Sequence, residues 1–265
     1  MNRWESFALW IALIIAFAPV VVNLGANLVV SPAAYPTLIA PLLIAFCVAR
    51  GIGRGVSRRS SGIVLLFLSV AFEFIGVVGN SWSIARLGLP IAILGIARWT
   101  GMMSLAVAAF AFWMIPIPDF VFNFTTPNLE SAVLKAAATV AQVVGIHVNA
   151  VGPVASTAAH HLEMQPHDTG IRIAFVLSEF GWFAAVLRGA RPIQLAANAG
   201  CFALLAIPVQ FFAVLFALAL LSAGWPSAAN AWLLHGSWLT AALGSGIYLQ
   251  TRNPVGADPR RSGAH

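Results

Sequence analysis

Charged residues make up only 8% of this 265-residue chain, against 60% hydrophobic residues. So little charge excludes an ordinary water-facing surface, because a soluble fold of this composition would have to expose most of its apolar side chains. The mean hydropathy of +0.89 points the same way. Cysteine is nearly missing: Cys47 and Cys201 both fall inside apolar runs and read as small buried hydrophobes, which argues against a disulfide-stabilised exterior. There is no phosphate-binding glycine loop, no GxSxG elbow and no serine–lysine pattern. The net charge of +6 comes without a basic helix or aromatic–basic interleaving, so it does not point to nucleic acid.

What is present is a succession of apolar runs, at 7–28, 35–49, 63–79, 83–97, 102–115, 171–187, 193–221 and 231–249. A membrane-crossing helix needs about 20 mostly apolar residues, and fewer where partners or local thinning help. Pro32 and Pro36 open the second run, and Pro116 and Pro118 close the fifth. The predicted fold is all-α: a polytopic membrane helix bundle of about eight transmembrane helices. The first run is expected to stay as an anchor rather than to be removed as a signal peptide. The 22 glycines suit close helix packing.

Loop charge orients the bundle. With both termini cytoplasmic and eight alternating helices, eleven of the fourteen basic residues fall inside, and only Arg86, Lys135 and Arg172 fall outside or in the outer half. That asymmetry is the positive-inside bias expected of a multi-pass membrane protein. Residues 251–265 then form a short basic cytoplasmic tail, and 116–170 an extracytoplasmic segment. Within that segment, Leu129, Val133, Leu134, Ala137, Val140, Ala141 and Val144 recur at helical spacing after Pro127, predicting an amphipathic helix on the bundle or in the interface, ended by Gly145. IHVNAVGPVAS alternates with period two and predicts short strand-like or irregular structure.

The polar island HHLEMQPHDTGIR, 160–172, is where chemistry is sought. Asp168 has two readings. It, or Thr169, caps the sixth helix while Arg172 snorkels to the interface; or it works with a distant partner, for which His235 near the outer end of the last helix is the candidate. His160, His161 and His167, with Glu163, Asp168 and His147, offer metal ligands, but in no recognised pattern. Glu73 and Glu179 lie within apolar runs and are expected to face the bundle or a polar cavity; Glu73 pairs with Arg86 only if the arginine reaches inward.

The order of features resembles the exosortase and archaeosortase family of multipass, transpeptidase-like membrane enzymes over most of the chain, 1–250. AYPTLIAPLLIAF resembles the family's early segment, and PIPDF with VVGIHVNAVG its central outer region. QPHDTGIR resembles its nucleophile motif, a Cys-Ser-Gly-x-Arg run, AIPVQFFAVLF its proline-containing seventh helix, and LLHGSW its histidine segment. Asp168 stands at the family's cysteine and Thr169 at its serine, while Gly170, Arg172 and His235 agree. The arginine expected at the end of the seventh helix is absent, with Phe216 or a neighbour in its place. The resemblance implies a protein that handles substrates carrying a C-terminal sorting signal, a transmembrane segment and basic residues, with no cofactor. Aspartate attacks amides poorly, so if the chain still acts on such a substrate, Asp168 and His235 form an acid–base pair on water or another acceptor, with Arg172 stabilising anionic charge. Two alternatives stand beside this: a non-catalytic partner of envelope or exopolysaccharide assembly proteins, and a small-solute transporter with Glu73 and Glu179 lining its path. Membrane lipid is a partner in every reading.

Overall fold

A computed structural model describes residues 8, 11–13, 15–30, 32–117, 127–165 and 170–252. Helices dominate it. In chain order they are α1 (Ala18–Val30), a 3-10 stretch Pro32–Leu38 leading into α2 (Ile39–Ala49), α3 (Arg59–Val78), α4 (Trp82–Thr100) and α5 (Leu105–Ala108), which continues as a 3-10 stretch, Ala109–Met114. Then come α6 (Pro127–Val143), a small sheet, α7 (Ile171–Leu187), α8 (Pro192–Leu204), α9 (Ala206–Ser222) and α10 (Pro226–Ala231). A π-helical turn, Trp232–Gly236, joins α10 to α11 (Ser237–Arg252). Every predicted apolar run has helix in it.

Among the described residues two helices are long and apolar enough to cross a membrane: α3, and the 31-residue Pro192–Ser222 stretch formed by α8 and α9. At 1.5 Å per residue, α3 is about 30 Å long. The Ala18–Val30, Ala34–Ala49 and Leu105–Met114 helices are apolar but shorter. The α8–α9 stretch is interrupted at Leu205. Pro208 explains the break, since it has no N–H to give the carbonyl four residues back.

The α3–α4 pair is an antiparallel hairpin turned at 79–81, where Asn80 takes a positive φ of 50°. Its helices approach closely because the facing residues are small. A Cβ on Gly76 would collide with the Ala85 backbone, and one on Gly95 would lie 2.9 Å from Leu66 Cγ. Gly76→Leu is therefore expected to force the hairpin apart and cost about 1–3 kcal/mol, read as a lower melting temperature in detergent. A melt equal to that of the parent would show that the contact is not tight.

Helix α1 is fastened to α4 by polar groups. Asn23 Oδ1 accepts from Arg86 Nε and Nη2 at 3.0 and 2.7 Å, and Asn27, one turn on, meets the same guanidinium. Arg86 thus serves asparagines on α1. Glu73 is buried on α3.

Among the described residues two hydrophobic cores result. The larger surrounds α7, where Phe183 packs against Phe46 of α2 and Phe110, and Trp113 Nε1 and Trp182 Nε1 bond to Ser178 Oγ and Ala106 O. The smaller joins α6, the sheet, α9 and α10. The predicted amphipathic helix forms as α6 and lies on the bundle, but its buried stripe is narrower than the sequence pattern. Leu134, Ala137, Ala138 and Ala141 are buried, whereas Leu129, Val140 and Val144 are exposed.

The sheet is antiparallel in the order β1 (Asn149–Val151), β2 (Val154–Ser156), β3 (His161–Glu163). The period-two segment supplies β1 and β2. They are joined by Gly152 and Pro153, and the positive φ of Gly152 suits a type II′ turn. Strand β3 falls inside the polar island, with Leu162 buried and His161 and Glu163 exposed.

Candidate functional site

Helix α7 begins where Gly170 adopts φ +89°, a left-handed conformation that favours glycine. A Cβ there would also lie 2.9 Å from Gln210 Cβ on α9, so this position needs glycine twice over. The helix starts later than the capping reading expects: Gly170 occupies the N-cap position and makes no side-chain cap. Asp168 and Thr169 lie outside the described residues, as does His167.

Arg172 does not snorkel. It is only 3% exposed, and its Nη1 donates to Leu234 O at 2.7 Å. That bond ties the first turn of α7 to the π-helical turn that carries His235. The turn itself explains the geometry. Ser237 N–H reaches back five residues to Trp232 O, leaving Leu233 O without its α-helical donor. The Ser237 hydroxyl supplies one instead at 3.2 Å, and the next carbonyl, Leu234 O, takes the arginine. One extra residue in a helix thereby presents a backbone carbonyl to a cation, and such turns recur at functional sites.

His235 is half-buried and stacks on Tyr35, with ring centroids 5.9 Å apart and planes inclined by 14°. Three parts of the chain, near residues 35, 172 and 235, therefore meet at one end of α7. Gln210, buried on α9 against Gly170, makes a fourth. Sequence reasoning missed Tyr35 and Gln210 as site residues. The signals were a phenol beside Pro36 in an otherwise apolar run and an amide deep within another.

Beside this cluster an apolar groove of about 770 Å³ runs between the 35–42 segment and α11, lined by Tyr35, Leu38, Leu42, Phe180, Trp238 and Ile247. The site is thus a buried guanidinium, an imidazole, a phenol and an amide at the head of an apolar trough. A guanidinium there can hold a carboxylate or a developing oxyanion, and an imidazole can accept or give a proton.

Other predicted residues lie elsewhere. Phe216 packs edge-on against Trp232 with centroids 4.8 Å apart, so it braces the π turn with apolar surface. His160 and His147 line a shallow groove of about 570 Å³ near Ser222 and Gly224, while His161 is exposed on β3 opposite Ser156. Among the described residues no three His, Cys, Asp or Glu side chains gather as metal ligands would. Cys47 is buried near the far end of α2, and Cys201 is exposed on α8. Glu179 is fully buried on α7, two helical turns beyond Arg172 on the same face, and its carboxylate oxygens have no hydrogen-bond partner among the described residues. Neither Glu73 nor Glu179 lines the grooves above. No protein-family model matches the chain, and no curated protein or solved structure does.

Proposed function

We propose that this chain is a multi-pass protein of the bacterial inner membrane, built on exosortase-like lines, that binds or processes proteins bearing a C-terminal sorting signal without cysteine transpeptidase chemistry. Its helices cross about eight times, with both termini cytoplasmic and the sheet and α6 on the outer side. The outward face of α3 supports burial in lipid: Phe67 and Phe74 are 75% and 67% exposed, an arrangement that water penalises and hydrocarbon does not.

The observation that carries the functional reading is the bond from Arg172 to Leu234 O. It joins the two segments, GIR and LLHGSW, that the family resemblance singles out, although 62 residues separate them. In the proposed site His235 takes a proton from water, or hands one to a leaving amine, while Arg172 holds negative charge on the substrate. Asp168 stands where a nucleophilic cysteine is expected, and its carboxylate suits proton transfer better than attack on an amide. The apolar trough beside His235 is open to a hydrophobic segment that follows a scissile or anchoring motif.

The test is substrate processing in the native host, comparing the parent, a deletion strain, Asp168→Ala and His235→Ala by membrane proteomics. Processing predicts that the deletion and both variants accumulate the same tail-bearing protein. A change in the deletion strain alone makes the chain a non-catalytic assembly component. No tail-bearing species in any strain would sink the sorting-signal reading.

A further inference from the structure

The opposite end of the bundle is as basic as the site end is mixed. Phe46 and Phe183 touch, so α2 and α7 end at the same level, and Arg50 lies 5.8 Å over the Phe46 ring. Helix α3 starts there with Arg59, and α4 ends there with Arg98. The segments that build this end contain no counter-charge: no Asp or Glu occurs between Glu5 and Glu73, between Glu73 and Asp119, or between Glu179 and Asp258. Glu73 is 14 residues beyond Arg59 on α3, about 21 Å along the axis.

A loop that only oriented the bundle would need charge and nothing else. This one is also pinned. Ser104 N–H donates to Gly53 O at 2.5 Å, Gly55 N–H to Gly101 O at 3.2 Å, Ser57 Oγ to Trp99 O at 2.6 Å and Arg58 N–H to Arg98 O at 2.7 Å. Gly55 packs so closely on the Met103 carbonyl that a Cβ would collide with it. The backbone is thereby committed to the α4–α5 junction, while the Arg54, Arg58 and Arg59 side chains stay exposed. Guanidinium groups recognise phosphate oxygens in two-point fashion, and a pinned backbone beneath them removes part of the ordering cost of binding.

We propose that this pinned arginine loop is a docking site for the phosphate of an anionic membrane lipid, with Arg54, Arg58 and Arg59 presented beside Arg98 at the membrane boundary. The occupant is a lipid headgroup because the loop sits at the very end of α3, an apolar helix of membrane-crossing length, and because the described residues at this end bring positive charge and no carboxylate, which favours an anion at the bilayer surface. The inference rests on the membrane placement proposed above.

The test reconstitutes the full chain in phosphatidylcholine nanodiscs with and without phosphatidylglycerol, and reads the melting temperature and the lipid retained in native mass spectrometry. Phosphatidylglycerol is expected to raise the melting temperature and to remain bound. The Arg54→Gln, Arg58→Gln, Arg59→Gln triple variant is expected to bind it about a hundredfold more weakly. Gly55→Ala, which keeps every charge but displaces the loop, is expected to lose most of the response. A triple variant that responds like the parent overturns the site, as does a Gly55→Ala protein, folded by its melt, that does so. An equal shift with inorganic phosphate alone overturns the lipid assignment. Membrane placement is checked separately by labelling single cysteines at Ser57→Cys and Asn149→Cys in cells lacking Cys47 and Cys201. Labelling from opposite sides leaves the lipid result to stand or fall alone; labelling from one side sinks the placement itself.

Discussion

Arg172→Ala is expected to abolish substrate processing in the host and to lower stability in detergent by about 1.5–3 kcal/mol, the usual range for a hydrogen bond to a charged group. The guanidinium is 3% exposed and bonds to Leu234 O, so alanine leaves both a void and a part-buried carbonyl without this charged donor. At 1.4 kcal/mol per factor of ten, the ratio of folded to unfolded protein falls about ten- to hundredfold. Arg172→Lys separates charge from geometry. Lysine keeps the cation but lacks the planar fork, so it is expected to recover part of the melting temperature and little of the processing. An unchanged melt in Arg172→Ala would return the arginine to the interfacial role that its sequence position allows.

The helices were legible because apolar runs bounded by glycine, proline and arginine leave few choices. The run at 171–187 becomes α7 to the residue, since Gly170 precedes it and Arg188 with Gly189, at φ +63°, ends it. Length was less legible than existence. The 193–221 run reads as one helix because hydrophobicity cannot register the hydrogen bond that Pro208 fails to make. Strand β3 was hidden in a segment chosen for its titratable groups, where Leu162 is the only strongly apolar residue in HHLE. In the site, Arg172 and His235 were legible as costly groups in an apolar setting. Their meeting depends on the π turn, and no periodicity reveals one. A single inserted residue shifts the helical phase by about 100°, less than the width of the apolar stripe in a run as uniform as 231–249.

Deleting Leu234 is the sharper experiment on that turn. The deletion leaves Ser237 N–H bonded to Trp232 O, now four residues back rather than five, so α10 and α11 keep their relation while the bulge becomes ordinary α-helix. His235 then turns by about 100° relative to Trp232, away from Tyr35, and the carbonyl that receives Arg172 is gone. Processing is expected to fall to the level of a deletion strain. Stability is also expected to drop by roughly 1.5–3 kcal/mol, because the deletion leaves a buried guanidinium without this acceptor. Adding Arg172→Met in the shortened chain removes the buried cation that has lost this acceptor while keeping apolar volume, so the double variant should melt higher than the Leu234 deletion alone and still fail to process substrate. That coupling separates the two roles of the bond. If the double variant costs as much as the sum of its parts, Arg172 and the π turn act independently, and the site has no shared frame. If stability returns and activity does not, the extra residue in the last helix is retained for what it presents to Arg172 and His235, since a straight helix serves the fold as well.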